Sequence, residues 1–233
     1  MFRMTGDKNA NQTLSAIAEG IGVAHDYKTV KADFVPFKDF KVKWMRSTSW
    51  IDFDVSDHLL GAPEEVLEGV IRTIFRKIEG APDSSYPECV CQYLTSKDFV
   101  KRNQATYIRR TRGYTTTSMH HDLNESYDRL IAAGLVERDE DMAIGWIPSS
   151  RSDRTVGHSS VLMKAVMLRD SLDSEDIPQY VLDYALYTQL VHVGLGFNAT
   201  GKDRSVEYAL KCSEYPDEED AELFLESHGY RVI

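Results

Sequence analysis

Hydrophobic and polar positions change their spacing several times along the chain, and each change predicts an element. Residues 13–21 form a short amphipathic stretch between polar ends and the breakers Gly20 and Gly22, which predicts a helix at the periphery. From Val30 the texture becomes FVPFKDFKVKW and then SWIDFDVS. In the second run Trp50, Asp52, Asp54 and Ser56 alternate with Ile51, Phe53 and Val55, the period of two expected of a strand with one wet face. Lys41, Lys43 and Arg46 mark a neighbouring strand, with a turn at 47–49. Residues 60–78 predict a helix. Pro63 is tolerated in its first turn, Glu64 and Glu65 suit the positive end of the dipole, and Val66, Val70, Ile71, Ile74 and Phe75 form one apolar stripe.

The stretch 83–117 reads as loop-rich and contains the basic run KRNQATYIRRTRG. Residues 121–133 predict a second amphipathic helix, closed by Gly134, and 144–147, 155–162 and 165–168 predict short strands. Pro178 opens a long helix to about Val193. Gly194, Gly196 and Gly201 loosen the chain into a loop, and helical texture returns over 206–213 and 217–228. The order is that of an α+β fold. We expect a small twisted sheet backed by the 63–78 helix and crossed on its other side by the 178–193 helix. Residues 1–27 would be a peripheral N-terminal segment and 28–233 a single domain.

Composition narrows the function. The chain has 233 residues, 42% of them hydrophobic, which suffices for a real core. With 37 acidic against 27 basic side chains the net charge is −10, which argues against a protein built to coat nucleic acid but leaves room for a local basic patch. No apolar run approaches the roughly eighteen residues of a membrane span, and the opening MFRMTGDKNANQ lacks the apolar core of a secretory signal. Three cysteines are no disulfide framework, and Cys89 and Cys91, one residue apart, read as small apolar fillers sharing a strand face. A cytoplasmic location is expected.

The candidate chemistry lies in PQYVLDYALYTQLVHVG. On a helix Thr188 and His192 are four positions apart and share a face, with Gln189 beside them. This is the spacing at which zinc peptidases carry H-E-x-x-H, two imidazoles on the metal and a glutamate that moves a proton from bound water.

The stretch LDSEDIPQYVLDYALYTQLVH resembles the segment leading into the active-site helix of the small zinc metallopeptidases of the minigluzincin and SprT-like group. FKVKWMRSTSWIDFDVSDHLLGAPEEVLEGVIRTIF resembles that group's first strands and backing helix. YDRLIAAGLV with IGWIPSSRSDRTVG resembles its helix and edge hairpin, and SVEYALKCSEYPDEEDAELFL its closing segment. The likeness covers roughly residues 30–228 and implies a metallopeptidase-like domain with a zincin-like active-site helix. It also implies that the family's first ligand falls on Thr188, its catalytic glutamate on Gln189, its second histidine on His192 and its third ligand on or near Arg204.

Three of those four positions depart from the chemistry. A threonine hydroxyl is a poor zinc ligand beside imidazole, Gln189 has no titratable proton, and an arginine repels a dication. The expectation is a pseudo-peptidase, with no cofactor and no catalytic residue, that keeps a groove for an unknown protein or peptide. Two other readings stand beside it. A rebuilt zinc site, and with it a metal-dependent hydrolase, would use His192 with His158 and Glu207, a donor set acceptable to zinc. A nucleic-acid-associated factor would use Lys101, Arg102, Tyr107, Arg109, Arg110 and Arg112. The acidic hairpin Glu137, Asp139, Glu140 and Asp141, where a wing would want lysine, weighs against the last. His120 and His121, adjacent on a helix, would point about 100° apart and do not chelate one ion well.

Overall fold

A computed structural model describes residues 8–111, 113–150 and 154–231. It is an α+β structure with two three-stranded sheets where the sequence pattern suggests one. The described residues fall into two compact units, one within Met1–Phe99 and Asn198–Gly201, the other within Val100–Phe197 and Lys202–Ile233.

The first unit contains helix α1 (Lys8–Val23), strands β1 (Thr29–Val35), β2 (Val42–Arg46) and β3 (Trp50–Ser56), and helices α2 (Glu64–Ile78) and α3 (Glu88–Leu94). Its sheet order is β1-β3-β2, with β1 parallel and β2 antiparallel to β3. The alternation along β3 does what its period requires: Ile51, Phe53 and Val55 are buried, and Asp52 and Asp54 face outward. The turn at 47–49 closes with the Ser47 N–H donating to the Trp50 carbonyl at 2.9 Å. Phe75 of α2 meets Phe53 edge-on, ring centroids 5.3 Å apart. α2 starts at Glu64 rather than at residue 60, because Ala62 precedes a proline and the helical conformation is disfavoured there. α1 lies against β1 with Leu14 and Ala18 fully buried. Its polar side chains also satisfy that strand's backbone: the Asn11 carbonyl oxygen accepts from the Phe34 N–H at 2.9 Å, and the Ser15 hydroxyl donates to the Ala32 carbonyl at 2.8 Å. An edge strand is thereby protected.

The segment expected to be loop-rich contains α3 and a further helix, α4 (Lys97–Arg110). Cys89 and Cys91 therefore sit on a helix and not on a strand. The apolar stripe of α4 is sparse because a polar residue anchors the helix. The Gln104 amide donates to the carbonyls of Asp141, Met163 and Lys164 at 2.7, 3.0 and 3.2 Å. Periodicity of apolar residues does not register such an anchor.

The second unit continues with α5 (Leu123–Ala132), β4 (Ala143–Ile147), β5 (Gly157–Ser160), β6 (Ala165–Arg169), α6 (Gln179–Gly194), α7 (Ser205–Cys212) and α8 (Glu218–Ser227). Its sheet order is β4-β6-β5, which leaves β5 at one edge, antiparallel to β6. A Cβ on Gly157 would stand 2.1 Å from the Met167 carbonyl oxygen, so only glycine allows this approach of β5 to β6. Before α5, the Asp173 carboxylate accepts the N–H groups of Met119, His120 and His121 at 2.6, 2.9 and 2.8 Å. The two histidines thus lie in a loop ahead of the Asp122 cap and not on the helix.

α6 is the axis of this unit. It is apolar on all sides, as a helix enclosed by protein must be, and twelve of its sixteen residues are buried. It packs against α5, β5, β6, α7 and α8. One charge enters with it. Asp183 is held by the Arg129 fork, Nε to Oδ2 at 2.8 Å and Nη2 to Oδ1 at 2.9 Å, and by the Gln179 amide at 2.9 Å. Three tyrosines tie the surroundings together: Tyr184 donates to Glu222, Tyr187 to the Lys211 carbonyl and Tyr215 to the Tyr180 carbonyl. No helix among the described residues is long and apolar enough to cross a membrane.

Removing Arg129 strands the Asp183 charge. The two side chains are 41% and 10% exposed, between the surface and the buried limits, so Arg129→Met should cost about 2–3 kcal/mol in urea unfolding. The double variant Arg129→Met with Asp183→Asn should recover part of that loss. An additive double-mutant cycle would show that the fork does not hold α6.

Candidate functional site

Beside α6 the second unit encloses a cavity of about 430 Å³. β5 contributes Gly157, His158 and Ser159, α6 contributes Gln189 and His192, and the start of α7 contributes Arg204, Ser205 and Tyr208, with Leu195 and Asp203 completing the wall. The size is that of a small-molecule or side-chain pocket.

Four sequence-predicted positions gather here in different ways. Thr188 is fully buried and does not line the cavity; its hydroxyl donates back to the Ala185 carbonyl at 2.9 Å, a bond within its own helix. Gln189 is 4% exposed, lines the cavity, and makes no side-chain hydrogen bond among the described residues. His192 is exposed to the cavity, and its Nδ1 lies 2.9 Å from the Ser159 hydroxyl. Arg204 donates to the carbonyls of Leu195 and Gly196 at 2.5 and 3.4 Å, just where α6 ends, and its Nε and Nη2 form a fork on the Glu207 carboxylate at 2.7 and 2.9 Å. A cation there both satisfies terminal carbonyls and suits the negative end of the helix dipole.

The electrostatics follow from these contacts. Burial pushes the His192 imidazole below the usual histidine range, and the neighbouring Arg204 charge pushes it further the same way. Glu207 is held below the usual carboxylate range by its bond to Arg204. Tyr208 closes over Thr188. Its hydroxyl is buried without a hydrogen bond of good geometry, near the Thr188 hydroxyl and the Cys212 thiol, and burial drives its acidity down.

His158 and His192 thus line one cavity, whereas Glu207 is turned into the arginine fork. Among the described residues no three His, Cys, Asp or Glu side chains come together in a way that could hold a metal ion. The basic run lies elsewhere, on α4. Lys101, Arg102 and Arg109 are exposed, Arg109 donates to the Thr106 hydroxyl at 2.8 Å, and Arg102 and Arg110 hold contacts within the protein. Tyr107 is 1% exposed and belongs to the core, so its ring is not presented for stacking on a base. Arg112 lies outside the described residues. Ser159 and Tyr208 carry site geometry that no spacing in the sequence signals, because the approach of β5 and α7 to α6 is made by the fold. Comparison with known proteins gives no match, whether by family model, by curated sequence or by solved structure.

Because the folded state binds the His192 proton less readily than the unfolded chain, this group's contribution to stability is full above the unfolded pKa and declines as pH falls below it. In an NMR titration the His192 midpoint should lie below that of free histidine, and Arg204→Gln should move it upward. An unmoved midpoint in the variant would mean that burial alone sets the ring's basicity.

Proposed function

We propose that the chain is a metallopeptidase-like domain that has given up the metal and binds an extended peptide or protein segment in the cavity beside α6. The observation that carries this is the Gln189 amide, on the cavity wall, open to the cavity and making no hydrogen bond among the described residues. An amide both donates and accepts, and a ligand presenting both a carbonyl and an N–H engages both halves, each bond contributing about 0.5–1.5 kcal/mol net. A peptide backbone presents both. The edge position of β5 along the same cavity supports the reading, since an edge strand can take up a further strand by main-chain hydrogen bonds. So does the resemblance of the chain to the minigluzincin and SprT-like group, in which α6 would be the former active-site helix.

The residues present do not fit a zinc ion. His158 and His192 line the cavity, but the carboxylate that would complete the set is bound to Arg204, whose guanidinium stands on the same wall. Gln189 offers no base for a metal-bound water.

Two measurements test the proposal. Gln189→Met, nearly isosteric, should leave thermal stability close to that of the wild type while sharply weakening capture of peptides selected from a random phage-displayed library on the wild-type chain. Equal capture by both proteins would defeat the peptide reading. Metal analysis of the full chain, purified without chelator, should find no stoichiometric zinc. Stoichiometric zinc that disappears in His192→Ala would replace the pseudo-peptidase with the hydrolase built on His192, His158 and Glu207.

A further inference from the structure

We propose that Ser159 and His192 form a metal-independent acyl-transfer pair whose substrates are uncharged carboxylic esters with a short acyl group. The Ser159 hydroxyl is 2.9 Å from His192 Nδ1, and both residues face the 430 Å³ cavity, so nucleophile, base and a space for substrate coincide. With the ring proton on Nε2, Nδ1 accepts from the hydroxyl. The Gln189 amide, which makes no hydrogen bond among the described residues, supplies N–H donors on the same wall for the oxygen that gains charge. The wall carries Leu195 and the Tyr208 ring, which suits a small apolar acyl group. The inference rests on the cavity and goes beyond the peptide-binding reading.

The step balances without a metal or an outside oxidant. The Ser159 oxygen attacks the ester carbonyl carbon as its proton passes to His192 Nδ1. The tetrahedral adduct breaks its bond to the alkoxy oxygen, which leaves as the alcohol with that proton, and the acyl group stays on Ser159. Water then attacks the acyl carbon with His192 again taking a proton, the carboxylic acid departs, and the proton returns to Ser159. The sum is ester plus water to acid plus alcohol. Among the described residues His192 makes no hydrogen bond to a carboxylate, and the loss of that orienting group in a serine triad costs about 10⁴ in kcat. The pair therefore acylates slowly and is best read by covalent capture.

The full chain is incubated with diisopropyl fluorophosphate and, separately, p-nitrophenyl acetate, each with and without EDTA. The expected result is one phosphoryl adduct by intact mass, mapped to Ser159 by peptide fragmentation, and a slow ester hydrolysis, both indifferent to EDTA. Ser159→Ala, a cavity-wall change that leaves the α6 core untouched, removes both. His192→Ala and His192→Gln, checked for unchanged melting, slow labelling by about 100-fold or more, and Gln189→Met slows it by about 10²-fold. No adduct on the folded wild type, an adduct on another residue, labelling that persists in Ser159→Ala, or hydrolysis abolished by EDTA each overturns the inference. Ser159→Ala retains the Gln189 amide and the selected-peptide capture that depends on it, so the two proposals fail separately.

Discussion

The Arg129–Asp183 fork lets a helix carrying a carboxylate run through the middle of a packed unit. An isolated carboxylate in that position would be too costly to bury, and it is tolerated because two guanidinium donors and the Gln179 amide satisfy both oxygens. With that charge neutralised, most of the remaining surface of α6 can be enclosed, and twelve of its sixteen residues are buried. Enclosure fixes the rotation of the helix about its axis, and the rotation decides that Gln189 and His192 meet β5 and the start of α7 while Thr188 is turned inward. The site geometry is thus a consequence of how one ion pair is paid for in hydrogen bonds two turns away.

Much of the local structure is legible in the sequence because it depends on near neighbours. The alternation of Ile51, Phe53 and Val55 with Asp52 and Asp54 reports a strand with one wet face, and Pro178 and Gly194 bracket α6 closely. α4 is not legible in the same way. Its seat is polar: three carbonyls from 37 to 60 residues away converge on Gln104, and the surrounding charges dilute any apolar stripe. The division into two sheets is illegible for a related reason. In each sheet a strand pairs in parallel with one that is not its sequence neighbour, β1 with β3 and β4 with β6, and period-two patterning says which face is buried but not which strand lies alongside.

The candidate site divides along the same line. Gln189, His192 and Arg204 are found from spacing and resemblance and do line one cavity, whereas Thr188, equally well placed by spacing, is fully buried beside the Tyr208 hydroxyl and does not reach it. Helical periodicity places Thr188 and His192 on one face but does not say what covers that face. Ser159 depends on the tight passage of β5 over β6, which Gly157 permits, and on the contact of that edge with α6; neither has a signature within the strand itself.

Arg204 joins these elements into one electrostatic device. Its Nη1 ends α6 by donating to the Leu195 and Gly196 carbonyls, and its other two donors hold the Glu207 carboxylate. Its charge, acting on His192 after burial has already weakened the ring's affinity for a proton, keeps the imidazole neutral over a wider pH range. The same side chain thereby favours His192 as a neutral proton acceptor facing Ser159. The guanidinium is itself paired with Glu207, so cation and carboxylate stand together at the end of α6. A neutral ring and the Gln189 amide on one wall both suit an uncharged carbonyl group, which is why the binding proposal and the acyl-transfer proposal draw on one cavity without requiring each other.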